Sequence, residues 1–424
     1  MSIEEGNLAE LLSVDEARQR ILSQFSALPS EKVALSVSLG RVLAEDIIAN
    51  INIPPHANSS MDGFAVRAAD LQNASQHNPA KLTVVMDIPA GTFPSAPINL
   101  YQAARIMTGA PVPAGADAVI PVESTDAQWS PGDNTPLPSS VSVFRALKSG
   151  DYIRPAGEDM EAGQTILPAG TIIRSAEMGV LAALGQAGVR VISKPRVIII
   201  STGDELIEPG YPLSSGKIYD SNSYMIMALI ESIGGVPHRM PIAPDSKDDI
   251  RRTFAAAIAQ HPDLIISSAG VSVGAFDAVR SIIDELGAVN FWRVNVRPGK
   301  PLAFGHLAGI PFFGLPGNPV SAMVTFHLFV NPAVLKLGNR PDEQQIIKAV
   351  IADDMESDGR RSYFRVKLTR ENEVITARLT GTQSSSALTS MVAADGLLVV
   401  PEGKSTVKAG EAFDVLLLRS LTLI

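Results

Sequence analysis

The sequence predicts a multidomain α/β protein: a doubly wound, mostly parallel α/β domain plus an inserted β-domain, a small mixed α+β domain and a C-terminal β-domain. Three observations carry that expectation. The chain has 424 residues, more than one compact core accommodates. Between Pro195 and Gly338, short apolar runs alternate with helix-period segments and brief loops, the rhythm of a parallel sheet covered on both faces. On either side of that stretch the chain turns to β-branched runs punctuated by proline and glycine.

Taken in order, Ser13 precedes "VDEARQRIL" with Glu16 three residues on, a capping-box helix start. Residues 51–149 form the inserted β-domain, with strands such as "KLTVVMDI" and "SVSVFRAL". Within it, "QWSPGDNTPLPSS" (128–140) reads as an exposed hairpin loop. Residues 150–190 return to β-turn-helix character, with Ser175 capping a helix through Leu184. With residues 1–50 they make a mixed α+β linking domain that holds the insert. In the α/β domain, 191–338, the strands are "RVIIIS", "VPHRMPI", "DLIISS", "VNFWRVNV" and "PFFGL". Its helices are "SNSYMIMALIESIG", "SKDDIRRTFAAAIAQ" with Ser246 as N-cap, and "AVRSIIDEL". Residues 339–424 carry "SYFRVKL", "VITARL", "LLVVP" and "FDVLLL", a C-terminal β-barrel-like domain.

The composition narrows the function. A net charge of −9 argues against nucleic acid or an acidic membrane as a general partner. With no cysteine there is no disulfide, thiol nucleophile or thiolate-bound metal, and the six histidines form no H-E-x-x-H pair. The acidic N-terminus lacks a secretory apolar segment. The apolar run "PVSAMVTFHLFVNPAVLKL" contains His327, is broken by Pro332, and reads as too short and interrupted to span a bilayer. A cytoplasmic protein is expected.

Ligands of an open parallel sheet sit beyond the carboxyl ends of its strands. Three loops fall there: "STGDEL" after "RVIII", "SSAGVSVGAFD" after "DLII", and "GLPGNPVS" after "PFF". Each places Gly or a hydroxyl residue where backbone N–H groups face outward at a helix start, a setting suited to anions. One such turn is usually structural; three on one sheet edge point to a phosphate-rich ligand. Asp204, Glu205, Asp245 and Asp277 lie beside them. Acids there are commonly caps, but they also suit Mg²⁺, which takes oxygen ligands and bridges phosphates. Such a ligand needs cations, and "NVRPGKPLAFG" supplies Arg297 and Lys300 in a proline-stiffened turn. Outside the α/β domain, Asp62, Thr108 and Asp159 sit in turns ("NSSMDGFAV", "MTGAPVPAGADAVIPVE", "PAGEDM") that one domain would not obviously need together.

Gly270 to Gly274 also match G-x-S-x-G, which would make Ser272 a hydrolase nucleophile. That reading requires an acid and then a histidine downstream. His306 follows too closely, His327 lies inside the helical apolar run, and no HGGG-like loop precedes the serine. The loop reads instead as a donor of N–H and hydroxyl groups to an oxyanion.

Together these stretches resemble the molybdopterin molybdenumtransferase family, the bacterial MoeA-like proteins and the gephyrin E domain. The matching runs are "SSMDGFAV", "TGAPVPAGADAVI", "RPAGEDM", "STGDEL", "AGVSVGAFD", "RPGKPLAFG" and "GLPGNPVSA", in the family's order over essentially the whole chain. The resemblance implies a homodimer of elongated four-domain subunits. It implies a reaction in which adenylylated molybdopterin and molybdate give molybdenum cofactor and AMP, with Mg²⁺. By position it makes Asp62, Asp159, Glu205, Asp277 and Lys300 catalytic, and Glu205, Asp245 and Asp277 the metal ligands. It assigns substrate binding to Thr108, Asp245, Gly270, Ser272, Gly274, Arg297, Pro316, Gly317, Pro319 and Ser321. The C-terminal runs "GRRSYFR" and "TQSSSALTSM" bring Arg360, Arg365, Ser385 and Ser386 to the molybdate side. The chain departs from the family at Arg297, where Lys is frequent, at Ala269, where Gly is frequent, and at Ala387, where Arg often follows the serine pair. Two other readings stand beside this one. The molybdopterin adenylyltransferase is a related α/β enzyme whose loop reads T-G-G-T-G, and it is also a candidate partner. A scaffold role would be secondary, because no partner domain or long linker is attached.

Overall fold

The computed structural model describes residues 11–129, 135–268, 276–342, 344–371 and 373–419. The chain divides into two compact units, Val33–Leu39 with Glu45–Val189, and Met1–Lys32 with Gly40–Ala44 and Arg190–Ile424.

In the Val33–Val189 unit, five strands form one sheet in the order Ala118–Pro121, Gly63–Val66, Gln102–Ile106, Ala80–Ile88, Ser140–Val143. Only Ala80–Ile88 and Gln102–Ile106 run parallel. All residues of Gly63–Val66 and Ala118–Pro121 are buried. These strands are covered on both faces, by the Phe64, Leu82 and Ile120 cluster on one side and the Ala65, Ile88 and Val119 cluster on the other. Ala80–Ile88 instead alternates buried and exposed residues, the two-residue period of a half-covered strand. Two expectations change here. Trp129, in the 128–140 excursion, is buried in this core with Arg105 over its ring, so that stretch is anchored by an indole rather than wholly exposed. The helix Ser175–Ala183 takes Arg174 as its N-cap, because the Glu177 carboxylate accepts the Arg174 N–H at 2.9 Å. Ser175 is the first helical residue.

In the other unit, seven strands line up as Leu11–Leu12, Gly287–Val294, Pro301–Leu307, Ile310–Leu315, Leu264–Ser268, Arg196–Ser201, Val236–Arg239. The last four are parallel to one another. Pro301–Leu307, a strand not foreseen as such, runs antiparallel to both neighbours. Its return turn is Ala308–Gly309, both with positive φ (48° and 82°), a two-residue hairpin with no room for a crossover helix. Alternate residues of the parallel strands feed opposite faces. Val197, Ile199 and Phe313 pack on one side, and Ile198, Ile200 and Phe312 pack on the other with Phe254 and Ile282.

Ser246 Oγ accepts the Asp249 N–H at 3.2 Å and starts Lys247–Ile258. Ser13 Oγ accepts the Glu16 N–H at 3.1 Å and starts Val14–Leu22, but the Glu16 carboxylate turns to Arg20 instead of completing the reciprocal box. The apolar run is helical from Pro319 to Leu337, with a π-helical turn at Phe326–Val330. Pro332 therefore does not break it; it sits in the first turn after the π segment, where a missing N–H is tolerated. By length and composition these 19 residues could cross a membrane, yet 72% of the 18-residue apolar window within them is buried inside the protein. The C-terminal strands close on themselves: Arg361–Glu371, Val374–Leu379, Ile346–Ile351, Ala412–Leu417 and Gly396–Val400, the last pairing back to the first. This barrel is filled by Ile351, Phe364, Val366, Leu398 and Val415.

His327 sits in the π turn, and burial lowers its pKa from 6.5 to about 4. The unfolded chain takes up that proton below about pH 6.5, while the folded chain stays neutral to about pH 4. Stability is therefore lost as pH falls across that window, on the order of 2–3 kcal/mol from this group. Urea midpoints of wild type and His327→Leu, compared from pH 7 to pH 4, should separate at the acid end, the wild type falling relative to the variant; parallel curves would show the imidazole is not buried.

Candidate active site

Two clusters lie at the carboxyl ends of the parallel strands. The first is a cavity of about 430 Å³ where the α/β domain meets the barrel. Three segments line it: the turn Arg297–Lys300; Ser321 in the first turn of the Pro319 helix; and barrel residues including Arg360, Ser362, Arg365 and Gln383–Ser385. The segments are fastened together by backbone. Val296 and Arg297 pair in parallel with Arg361 and Ser362, and Val320 N–H donates to Ser385 O at 3.1 Å. Gly299 permits the turn to lie on the helix. Its φ is +113°, and a Cβ there would stand 2.6 Å from Thr325 Cγ2.

The charge balance of this cavity is its chief property. Arg365 is 1% exposed and holds its own loop, donating to Ser390 Oγ at 3.1 Å and Ser384 O at 3.0 Å. Burial, reinforced by nearby Arg297, pushes its guanidinium down to about 10. Arg360 is paired with Asp358 and donates to Val296 O at 3.1 Å. No carboxylate pairs with Arg297, Lys300 or Arg365 among the described residues. Of the three only Arg365 is buried; a buried cation without an acid is costly, and an oxyanion entering here would offset that cost. Serine hydroxyls supply further donors. Of the residues expected on the molybdate side, Arg360, Arg365 and Ser385 line the cavity; Ser386 does not, its hydroxyl lying 3.0 Å from Ser384 Oγ. Ser362, Gln383 and Ser384 were missed, although Gln383 and Ser384 belong to a run already singled out.

The second cluster follows strands Arg196–Ser201 and Val236–Arg239. Asp204 and Asp245 clasp each other's backbone: Asp204 N–H donates to Asp245 Oδ2 at 3.1 Å, and Asp245 N–H to Asp204 Oδ1 at 3.2 Å. The Glu205 carboxylate folds over Gly203, where an added Cβ would meet its oxygens at 2.7 Å. Asp245 Oδ1 is buried with no hydrogen-bond partner. An orphan carboxylate oxygen among oxygen donors fits a hard cation such as Mg²⁺, though no set of three acids or histidines converges among the described residues. The segment after this turn is clamped by Arg239, which makes two 3.0 Å bonds to Glu208, donates to Ser223 Oγ at 2.7 Å and lies 3.7 Å from the Tyr224 ring centroid. Arg239, helped by the Tyr224 hydroxyl, holds the Glu208 carboxyl below its usual range.

The "GLPGNPVS" turn belongs to the first cluster, leading into the helix that carries Ser321. Pro316 is buried, Gly317 is exposed, and Pro319 occupies the helix start. Asn222, unnoticed in the sequence, donates to Gly317 O at 2.7 Å. Gly270, Ser272 and Gly274 lie outside the described residues, and Asp277 is placed only as part of the helix Phe276–Leu286. In the Val33–Val189 unit, Asp62 Oδ1 accepts both the Thr108 N–H (2.7 Å) and its hydroxyl (3.0 Å), so these two are brought together. Asp159 is exposed in a separate turn, its N–H donating to Ile53 O.

Comparison with known proteins decides the family. Residues 12–185 match the MoeA N-terminal region (domain I and II), 198–336 a probable molybdopterin binding domain, and 348–418 the MoeA C-terminal region (domain IV). The chain belongs to the molybdopterin molybdenumtransferase (MoeA) family. Molybdopterin molybdenumtransferase 2 of Mycobacterium tuberculosis is 37% identical over 414 residues, covering 95% of this chain and 98% of that one. The Bacillus subtilis molybdopterin molybdenumtransferase is 37% identical over 413 residues, covering 96% and 94%. A crystal structure of the MoeA protein of molybdopterin biosynthesis from Pyrococcus horikoshii superposes with a TM-score of 0.84 at 31% identity, covering 97% of this chain and 100% of that one. This family member is therefore a transferase with a role in molybdenum cofactor biosynthesis, and its multidomain α/β fold with a C-terminal barrel is the MoeA fold.

Lys300 is exposed and has no acid partner among the described residues, so Lys300→Gln isolates the cavity's charge from its architecture. The variant should melt within about 1 °C of wild type and bind molybdate about tenfold more weakly, or ~1.4 kcal/mol. Calorimetric titration showing equal affinity would place the anion elsewhere.

Proposed function

We propose that the chain inserts molybdenum from molybdate into adenylylated molybdopterin, with Mg²⁺-dependent release of AMP, giving molybdenum cofactor. The observation that carries this reading is one sheet edge with two opposite characters: a pocket of unpaired cations, and a carboxylate pair with an orphan oxygen. Ile310–Leu315, which leads into the first cluster, and Arg196–Ser201, which leads into the second, are separated by one strand. Strands are spaced about 4.8 Å apart, so the two clusters begin about 10 Å from each other. That separation suits one ligand carrying a phosphoanhydride at one end and receiving an oxyanion at the other.

In this mechanism Arg365, Arg297 and Lys300 hold the molybdate dianion, and Ser321 and Ser385 orient its oxygens by hydrogen bonds. The dithiolene sulfurs displace oxygen ligands of molybdate, which leave as water with the thiol protons. Water cleaves the phosphoanhydride and AMP departs. Asp245 and Glu205, with Asp277, would hold Mg²⁺, which supplies neutralisation of charge building on the leaving phosphate. Gly270, Ser272 and Gly274 serve substrate binding by their match to the family's motif, with Ser272 as a binding rather than nucleophilic group. Asp62, Thr108 and Asp159 serve the same reaction by their match to the family's motifs. A homodimer, a cytoplasmic location and an encounter with the adenylyltransferase that supplies the substrate belong to the same reading.

Incubating the chain with adenylylated molybdopterin, molybdate and Mg²⁺ should release AMP in proportion to cofactor formed; no AMP above the no-protein control would refute the proposal. Asp245→Asn keeps an oxygen for the Asp204 N–H, so it should melt normally while AMP release falls about a hundredfold, on the order of 3 kcal/mol in the barrier. Ser272→Ala should lower the rate only modestly. A trapped covalent adduct on Ser272 would restore the hydrolase-like chemistry.

A further inference from the structure

Arg365 is the buried cation of the oxyanion cavity, and it lies where its strand loses a neighbour. Arg361–Glu371 pairs along one edge with Val374–Leu379, and the last rung is Val366 with Leu379. Arg365 is the next residue along. Thr380 N–H still reaches the Arg365 carbonyl at 3.1 Å, but at Gly381 the strand has ended and φ turns positive, 88°. The Arg365 N–H is met by a side chain instead: Gln383 Oε1 accepts it at 2.9 Å. The same amide donates from Nε2 to the Arg365 carbonyl at 3.2 Å. Gln383 therefore stands in for a rung of the sheet, an acceptor and a donor side by side against one residue.

The bonding is reciprocal. Thr382 O and Ser384 O, on either side of Gln383, accept from Arg365 Nη2 at 3.4 and 3.0 Å, and Ser390 Oγ accepts from Nε at 3.1 Å. The loop that holds the guanidinium is thus itself held to the strand by the Gln383 amide. A guanidinium is planar and carries five N–H groups, so fixing Nε and Nη2 also fixes Nη1. Three of the five are engaged inside the protein. The two on Nη1 have no partner among the described residues, and Nη1 is not one of the fully buried unpartnered atoms, so a water-sized oxygen can touch it. Arg365 as a whole is 1% exposed and lines the cavity, which makes Nη1 the end it offers there.

We propose that Gln383 is a positioning residue for oxyanion capture: its amide locks Arg365 and the 382–384 loop to each other at the end of the ladder, and so aims Nη1 into the cavity. This role rests on the reading of the cavity as the molybdate site. Gln383 lines the cavity too, but it acts through Arg365. Side chains of similar length do not replace it. Met fills the space and leaves the Arg365 N–H without its acceptor. Glu accepts but cannot donate, and it sets a negative charge on the cavity wall.

Molybdate is titrated by calorimetry into the full chain and into Gln383→Met, Arg365→Lys and the double variant. Gln383→Met should weaken binding about tenfold. Arg365→Lys keeps the charge but loses the planar fork, and weakens binding by its own amount. Because Gln383 works through the guanidinium, adding Gln383→Met to Arg365→Lys should change Kd by less than about twofold, a coupling that independent roles do not show. Losses that multiply in full overturn the proposal, because a residue that bound the anion directly, or merely held Ser385, would still count without the guanidinium. A Gln383→Met Kd equal to that of wild type overturns it as well. Wild type that binds no molybdate removes the oxyanion reading itself and this role with it, whereas the other two results leave that reading standing. Should Arg365→Lys not fold, solvent exchange of the Arg365 Nε–H, followed by NMR in ligand-free Gln383→Met, decides. It should be at least about tenfold faster than in wild type, and an unchanged rate overturns the clasp.

Discussion

Two consecutive backbone pairings, Val296 with Arg361 and Arg297 with Ser362, join the α/β domain's chain to the barrel. The cation pocket depends on them. Each domain contributes two of the cavity's four cations. The pairing puts the Arg297–Lys300 turn of one beside the Arg360–Arg365 strand of the other. Because the register is set by main-chain hydrogen bonds, the side chains need not find each other. They are delivered by pleat and spacing, and only glycine at 299 lets the turn lie close enough to the helix.

The acidic cluster is built on a different principle. There the side chains of Asp204 and Asp245 bind backbone, each capping the other's turn, and one oxygen of Asp245 is left over. The reading of these aspartates as turn caps is correct for the bonds they make to backbone. The cationic and acidic clusters remain separate because different strands of the sheet feed them, with Leu264–Ser268 between.

What the sequence made legible was local. Ser13 and Ser246 cap their helices because a hydroxyl three residues before an amide can reach it. Ser175 competed with Arg174 for the same role, and the reach of Glu177 settled it one residue earlier. The strands of the α/β domain announced themselves by buried β-branched runs. Of the seven family runs, "RPGKPLAFG", "GLPGNPVSA" and "STGDEL" contribute residues to the two clusters described. What stayed hidden was decided at long range. Arg360, Arg361 and Arg365 share one short motif, yet one pairs with Asp358, one with Asp15, and one has no acid among the described residues. Asn222 meets Gly317 across 95 residues of chain, and no pattern near either announces it. Pro332 read as a breaker because the rule is local; the π turn before it relaxes that rule.

The barrel also has a colloidal consequence. A strand with free N–H and C=O groups along one side is a template on which another chain can add a strand. In the C-terminal domain the five strands return on themselves, so that template is absent. In the α/β sheet the outermost strands are Leu11–Leu12 and Val236–Arg239, two and four residues long. Edges so short give a would-be partner few rungs to grip. Self-association of this chain is thereby steered toward side-chain surfaces, where charge and shape can select a partner, and away from main-chain zippers, which select none.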